Sequence, residues 1–167
     1  MFRTIADFVT SWSAESAGTL REFNALTDAS LSQAITGDHR TIGRIAWHLT
    51  ATPREMMERT GLHVEGPAED APVPDSVRTI VDAYTRTSAS LLAAVQREWT
   101  GESLTVVDEM YGEQWARGAT LFVLIVHQAH HRGQMTVLMR QAGLTVAGAV
   151  GPAKESWAQW KMQPPAI

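Results

Sequence analysis

Four stretches of this chain repeat apolar residues at the spacing of an α-helix, and the intervals between them are long and rich in turn-forming residues. In the first, from Phe2 to Leu26, the stripe reads Phe2, Ile5, Phe8/Val9, Trp12, Leu20, Phe23 and Leu26, with Gly18 a weak spot. The connection TDASLSQAITGDHRT is long for a helix-to-helix turn and is expected to cross an end of the molecule. Thr41 is the expected N-cap of the second helix, whose buried stripe is Ile42, Ile45, Leu49 and Met56 and whose stop is Gly61. Pro53 removes a backbone donor there and predicts a kink or the start of a second helical piece.

A proline-rich acidic loop, LHVEGPAEDAPVPDS, precedes a third helix capped by Asp75 or Ser76 and running through Val77, Ile80, Tyr84, Leu91, Leu92, Val95 and Trp99. The next connection, TGESLTVVDEMYGEQWARG, contains LTVV, a candidate short strand. The fourth helix is expected from about Ala119 to Gln141 with Gly143 as its stop, and a short helix near Ala153 to Trp160 lies in the tail. Four long helices with two long crossovers predict an all-α four-helix bundle rather than an α/β fold, which needs repeated strands.

The 167 residues suit one domain spanning 1–167. Net charge is −4 and no basic run occurs, so the clustered positive charge that displaces counterions from nucleic acid is missing. There are no cysteines, which excludes disulfides, thiolate metal sites and a cysteine nucleophile and leaves nitrogen and oxygen ligands for any metal. The opening MFRTIADFVTSW lacks the pattern of a secretory signal, and the most apolar run, ATLFVLIVHQA, is too short to span a bilayer. A soluble, cytoplasmic protein without membrane or nucleic-acid partners is expected.

Against that background HQAHHRGQM, residues 127–135, stands out. Helical residues four apart are separated by about 6 Å along the axis and about 40° around it. His127 and His131 therefore stand one above the other at chelating distance. His127 with His130 is the competing pair, but His130 points about 100° away from His131. Leu124, His127, His131, Met135 and Leu138 share one stripe with Gln134 at its edge, which favours the 127/131 pair. Two imidazoles side by side in an apolar helix need something to satisfy their nitrogens, and a divalent cation does so. A third ligand has to come from another helix, and His48, beside the buried stripe of the second, is the candidate. His39 and His63 fall in polar connections and are expected to be solvated. Three neutral imidazoles leave coordination positions open and suit Zn²⁺, Ni²⁺ or Fe²⁺, among which spacing does not choose.

Residues around these ligands have readable roles. Gln134 could bond a neighbouring group of the site, His130 could support it or lie on the surface, and Arg44, one turn before His48, could guide an anionic substrate. Arg132 faces away from the stripe, which predicts packing or an ion pair. Gly133, in mid-helix, predicts a close helix crossing. Glu55 and Glu58 are expected to pair with Arg54 and Arg59. Asp108 and Glu109 could supply an acid or base if their connection covers the site, Trp157 and Trp160 are expected to cap the bundle's end, and Met135 and Met139 to fill core. An apolar helix face left over makes a homodimer conceivable. No catalytic residue is assigned.

The segments TIGRIAWHLTATPREMMERTGL, HQAHHRGQMTVLMRQAGL and GPAKESWAQW together resemble the DinB family of the DinB/YfiT-like superfamily, whose pattern is one histidine on the second helix and H-x-x-x-H-R-G-Q on the fourth. The resemblance covers nearly the whole chain. It implies a four-helix bundle with an unusual helix order and a divalent metal held by His48, His127 and His131, with water completing the shell. Related members of the superfamily include thiol-dependent enzymes that use mycothiol or bacillithiol, as transferases or maleylpyruvate isomerases. By that analogy the chain is expected to act as a metal-dependent thiol S-transferase with a small thiol and an electrophile as partners. A metal-dependent hydrolase, or a non-enzymatic metal-binding stress-response protein, is the alternative.

Overall fold

The computed structural model describes residues 2–163 and residue 166. Four long helices dominate: α1 (Ile5–Phe23), α2 (Ile42–Glu58), α3 (Val77–Glu98) and α4 (Arg117–Gln141). Thr4 and Asp7 form a reciprocal capping box at the start of α1, each reaching the other's backbone N–H at 3.1 Å. Thr41 caps α2 by accepting from the Arg44 N–H, and Gly61 follows the helix with a φ of +75°, a conformation open to glycine at little strain. Ser76 occupies the cap of α3 without using its side chain. Asp28 supplies the acceptor instead, taking a 2.7 Å bond from the Val77 N–H across 49 residues.

The helices pack as a ring in which α1 and α2 each touch both α3 and α4. Helices consecutive at the start and at the end of the chain, α1 with α2 and α3 with α4, therefore sit on diagonals. The core follows the same geometry. One apolar cluster contains Phe8 and Trp12 of α1, Met56 and Met57 of α2, Leu91 and Val95 of α3, and Leu121 and Leu124 of α4. The other contains Phe23, Ile42, Ile45, Leu49, Ile80, Tyr84, Met135 and Met139. The start of α1 and of α4 thus lies at the same end as the finish of α2 and of α3. Helices α2 and α3 run parallel, which is why residues 59–76 must return along the whole bundle; Trp47 pins that return by donating its indole N–H to the Ala71 carbonyl at 3.1 Å.

Between the two apolar clusters lies a polar layer. Trp12 donates to Ser88 Oγ at 2.9 Å, and Arg132, 4% exposed, is ion-paired with Glu15 and donates to Thr19 Oγ1 at 3.0 Å. A buried charge is tolerated when its partner and remaining donors are satisfied, as here. The expected role of Arg132 is therefore met by an ion pair inside the bundle.

Helix α2 runs on through Pro53 and does not start a second piece there; the carbonyl that the proline leaves without a donor, that of Leu49, accepts from the buried Gln128 side chain at 2.9 Å. Other expectations are corrected. The strand foreseen at LTVV lies further on: residues 102–105 form a 3₁₀ turn, and β1 (Val107–Met110) pairs antiparallel with β2 (Glu113–Ala116), Met110 opposite Glu113. The two-residue loop has φ 57° at Tyr111 and 86° at Gly112, the positive pair that a tight hairpin turn of matching twist requires. Gly133 lies in open space, with nothing within 4 Å of where a Cβ would stand, so no helix crosses it. The close approach occurs at Gly18, where a Cβ would lie 3.0 Å from the Cβ of Ala149 in the tail.

The tail segment Lys154–Trp160 is a 3₁₀ helix in which Trp157 is half-buried, while Trp160, 64% exposed, does not cap the bundle as expected. Among the described residues no helix is long and apolar enough to cross a membrane.

Candidate metal centre

His48 and the pair His127 and His131 meet where α2 packs on α4, at the level of the polar layer. One potential ligand atom from each of the three lies within 4.8 Å of the others. Ring centroids are separated by 4.8 Å (48 to 127), 4.7 Å (48 to 131) and 4.4 Å (127 to 131), and each pair meets edge to face. The rings close a triangle across two helices. His130 is exposed and adds no ligand to it; its ring lies 4.9 Å from that of His131 on the outer side.

The donor set fits a divalent transition metal. Metal–imidazole bonds of about 2.0–2.1 Å imply ligand nitrogens about 2.9 Å apart at right angles and about 3.4 Å apart in a tetrahedron. The Nε2 atoms of His48 and His127 are 3.1 Å apart. His131 Nδ1 donates to Gln134 Oε1 at 2.7 Å, which fixes that tautomer and leaves Nε2 with a free lone pair. The Gln134 amide in turn donates to His130 Nε2 at 3.1 Å, so both residues named as supports of the site are joined in one chain of bonds. His127 Nδ1 is buried without a partner. Metal-free, two imidazoles face each other over one shared proton at most, an arrangement that a cation in the triangle relieves.

The protein keeps these rings in the unprotonated form that ligation needs. Desolvation, then the like charge of His131, pushes His48 down to about 4. Desolvation, then His131 and His48, pushes His127 down to about 4. Desolvation also lowers His131, opposed by its bond to Gln134. Arg40 contributes to all three depressions and Arg44 to that of His48. Arg44 lies one turn before His48 on α2, and its charge acts on that ring. Arg40, in the turn before α2, was not singled out by sequence reading, because a loop arginine has no periodicity to place it.

Two concavities flank the triad. Toward the C-terminal end of α2, His48, His127, Thr52, Glu55, Tyr111 and Trp115 line a cavity of about 310 Å³. Its far wall is the hairpin, held down by the Tyr111 hydroxyl, which donates to Glu55 Oε2 at 2.6 Å, and by the Arg59 guanidinium stacked 4.3 Å from the Tyr111 ring. Glu55 pairs with Arg59 and Glu58 with Arg54, as expected. The connection does cover the site, but with Tyr111 and Trp115 rather than Asp108 and Glu109. Asp108 is tied to Arg117 at 2.8 Å, and Glu109 accepts from the Gly112 N–H. Toward the other end, Ile35, Arg40, Ile45, Gln134, Val137 and Leu138 line a second, largely apolar cleft of about 320 Å³.

His39 and His63 are exposed, as anticipated, and lie outside the triangle; His39 lines the second cleft beside Arg40. Sequence reading missed Gln128. Fully buried beside His127, it accepts from the Tyr84 hydroxyl at 3.1 Å and donates to the Leu49 carbonyl, linking α3, α4 and α2 one residue from two of the histidines. The signal was present: Pro53 announces an orphaned carbonyl at Leu49, and a buried amide is the group that would serve it.

The sequence model of the DinB family matches residues 1–162. The chain is 47% identical over 165 residues to the uncharacterized protein YrdA of Bacillus subtilis (strain 168), covering 99% of each. It superposes on the crystal structure of a DinB-like protein from Bacillus cereus with a TM-score of 0.85 at 46% identity, covering 89% of this chain and 99% of that one. A second DinB-like protein, from Bacillus subtilis, shares the fold at a TM-score of 0.59 and 15% identity, over 83% of this chain and 94% of its own.

Proposed function

Because this chain belongs to the DinB family, we propose that His48, His127 and His131 hold one divalent metal ion and that the protein is a metal-dependent thiol S-transferase. The observation that carries the metal reading is the convergence of three neutral imidazoles from two helices, their ligand atoms within 4.8 Å of one another. Zn²⁺ and Ni²⁺ suit an all-nitrogen set best, with Fe²⁺ next. When bound, the ion would supply Lewis acidity that lowers the pKa of a thiol or water at its open positions.

The thiol reading is preferred to hydrolysis by the superfamily analogy, and the state of Glu55 agrees with it. Glu55 and Glu69 line the cavity beside His48, and both oxygens of Glu55 are taken, one accepting from Tyr111 and the other from Arg59. A carboxylate so engaged is a poor proton acceptor, and a thiol, with a pKa near 8.5 before any metal acts on it, needs less help than water, whose pKa the ion would have to bring down from about 15.7. The hairpin residues Tyr111 and Trp115 shield the cavity, and Gln134 keeps the His131 ring aimed at the shared centre. A low-molecular-weight thiol of the bacillithiol or mycothiol type and an organic electrophile are the proposed partners, in a cytoplasmic setting and a response to chemical stress.

Metal analysis of protein purified without a histidine tag tests the first half. For the second, metal-loaded protein is incubated with a thiol and a panel of electrophiles, beside His131→Ala. Turnover that depends on His131 supports the transferase reading. Equal product from both proteins removes it, and metal-dependent stabilisation without any turnover favours a non-enzymatic metal-binding role.

A further inference from the structure

The cavity beside Glu55 and the cleft beside Arg40 lie on opposite sides of the histidine triangle and differ in chemistry. Along α2 the sequence Ile45, His48, Thr52, Glu55 runs from the cleft through the triad to the cavity, and along α4 the sequence Leu138, Gln134, His131, His127, Val123 runs the same way. The cavity carries Glu55 and Glu69. The cleft carries Arg40 as its charged wall, with His39 beside it and the Asp38 carboxylate 3.1 Å from the His39 Nδ1, and its floor is Ile35, Ile45, Val137 and Leu138. Ile35 is 61% exposed and Val137 53%, so apolar surface stays open to solvent beside the triad. Among the described residues neither Arg40 nor Arg44 has a carboxylate within ion-pair distance, although most other arginines near the bundle surface do.

We infer that the Arg40 cleft binds an amphipathic organic anion, its apolar body on Ile35, Ile45, Val137 and Leu138 and its carboxylate at Arg40. An apolar wall alone would take any greasy surface. A guanidinium at its rim, without an internal counter-ion, selects a carboxylate, which it can meet through two parallel hydrogen bonds. Gln134 joins this cleft to the triad, since it lines the one and bonds His131 of the other. A molecule seated in the cleft therefore touches Gln134, the residue that bonds His131. As the seat of the electrophile, the cleft rests on the metal-centre reading above; as an anion site, it does not need the metal.

The probes are octanoate, octan-1-ol and octylammonium, titrated into chelator-treated protein and followed by amide chemical shifts. Octanoate is expected to saturate, with shifts centred on Ile35, Arg40, Gln134 and Val137, and to bind at least about tenfold more tightly than the alcohol or the amine, as a charge-assisted contact predicts. Arg40→Gln should erase that preference, and Val137→Asp, which puts a like charge on an exposed helix position, should weaken octanoate further. Circular dichroism melts confirm that both variants remain folded. Octanoate bound no better than octanol, an unchanged affinity in folded Arg40→Gln, or shifts centred elsewhere would each overturn the inference. A Zn²⁺ titration of the same samples separates the two claims: failure of the wild type to bind Zn²⁺ sinks the metal centre and leaves the octanoate result to judge the cleft.

Discussion

Gln128 Nε2 donates a 2.9 Å hydrogen bond to the Leu49 carbonyl, the oxygen that Pro53 deprives of its own helical donor. The bond stitches α4 to α2 between His48 and His127, and Tyr84, whose burial pushes its pKa up and keeps it a donor, completes the amide's bonding from α3. Gln128→Leu strands the Leu49 carbonyl and the Tyr84 hydroxyl and should destabilise the protein by about 2–4 kcal/mol in urea unfolding. In the Pro53→Ala background the helix regains its own donor to Leu49, so the loss should be smaller there. Equal losses in both backgrounds would show that the shared carbonyl is not what couples the two residues.

Removing any one of the three ligands should abolish tight binding of a single divalent ion. His48→Ala, His127→Ala and His131→Ala are expected to lose the rise in melting temperature that Zn²⁺ or Ni²⁺ gives the wild type. His130→Ala, outside the triangle, should keep it. Calorimetric titration and differential scanning fluorimetry read both.

Acid should weaken the metal-free protein in a defined window. His48 and His127 titrate near 4 in the folded state against 6.5 in a free chain, so the unfolded chain takes up protons first as pH falls. Their contribution is complete above about 6.5 and is lost progressively toward about 4. Urea midpoints of chelated wild type should fall between pH 7 and pH 4.5, and His127→Gln should fall less. Parallel pH profiles for the two proteins would contradict the assigned depression.

Arg132 and Glu15 are both nearly buried, with side-chain exposures of 5% and 9%. Arg132→Met leaves Glu15 a buried charge without its partner and should cost about 3–5 kcal/mol. The double replacement Arg132→Met with Glu15→Gln should recover much of that, as chemical denaturation of the four proteins of the cycle will measure.

Gly133→Ala should raise stability by about 0.5–1 kcal/mol, since the position is helical, exposed and without a neighbour that a methyl group would meet. A loss of stability on thermal unfolding would mean that something covers Gly133 after all.

How far the sequence could be read depended on the range of the interaction involved. Helical spacing is local: rise and turn per residue place His127 over His131 before any packing is known, and the cap at Thr41 and the stop at Gly61 depend on neighbours within a few residues. The apolar stripes named Ile42, Ile45 and Leu49, and the structure buries all three. The histidine on the second helix was recognisable for the same reason, since it flanks that stripe.

The chain's own residues did not reveal what depends on contacts between distant segments. Pro53 fits inside an unbroken helix because Gln128, 75 positions later, serves the orphaned carbonyl. Gly133 is open while Gly18 is crowded, because the tail folds back over α1 and no helix crosses α4 at that point. Tyr111 and Trp115 of the hairpin, not its acidic pair at 108 and 109, shield the triad, and Arg40 reaches it from a turn. Local periodicity determined which elements form and which of their faces are apolar. Side-chain complementarity across the bundle decided which polar groups meet, because burying an amide, a guanidinium or an imidazole is tolerable only where a partner from another segment arrives.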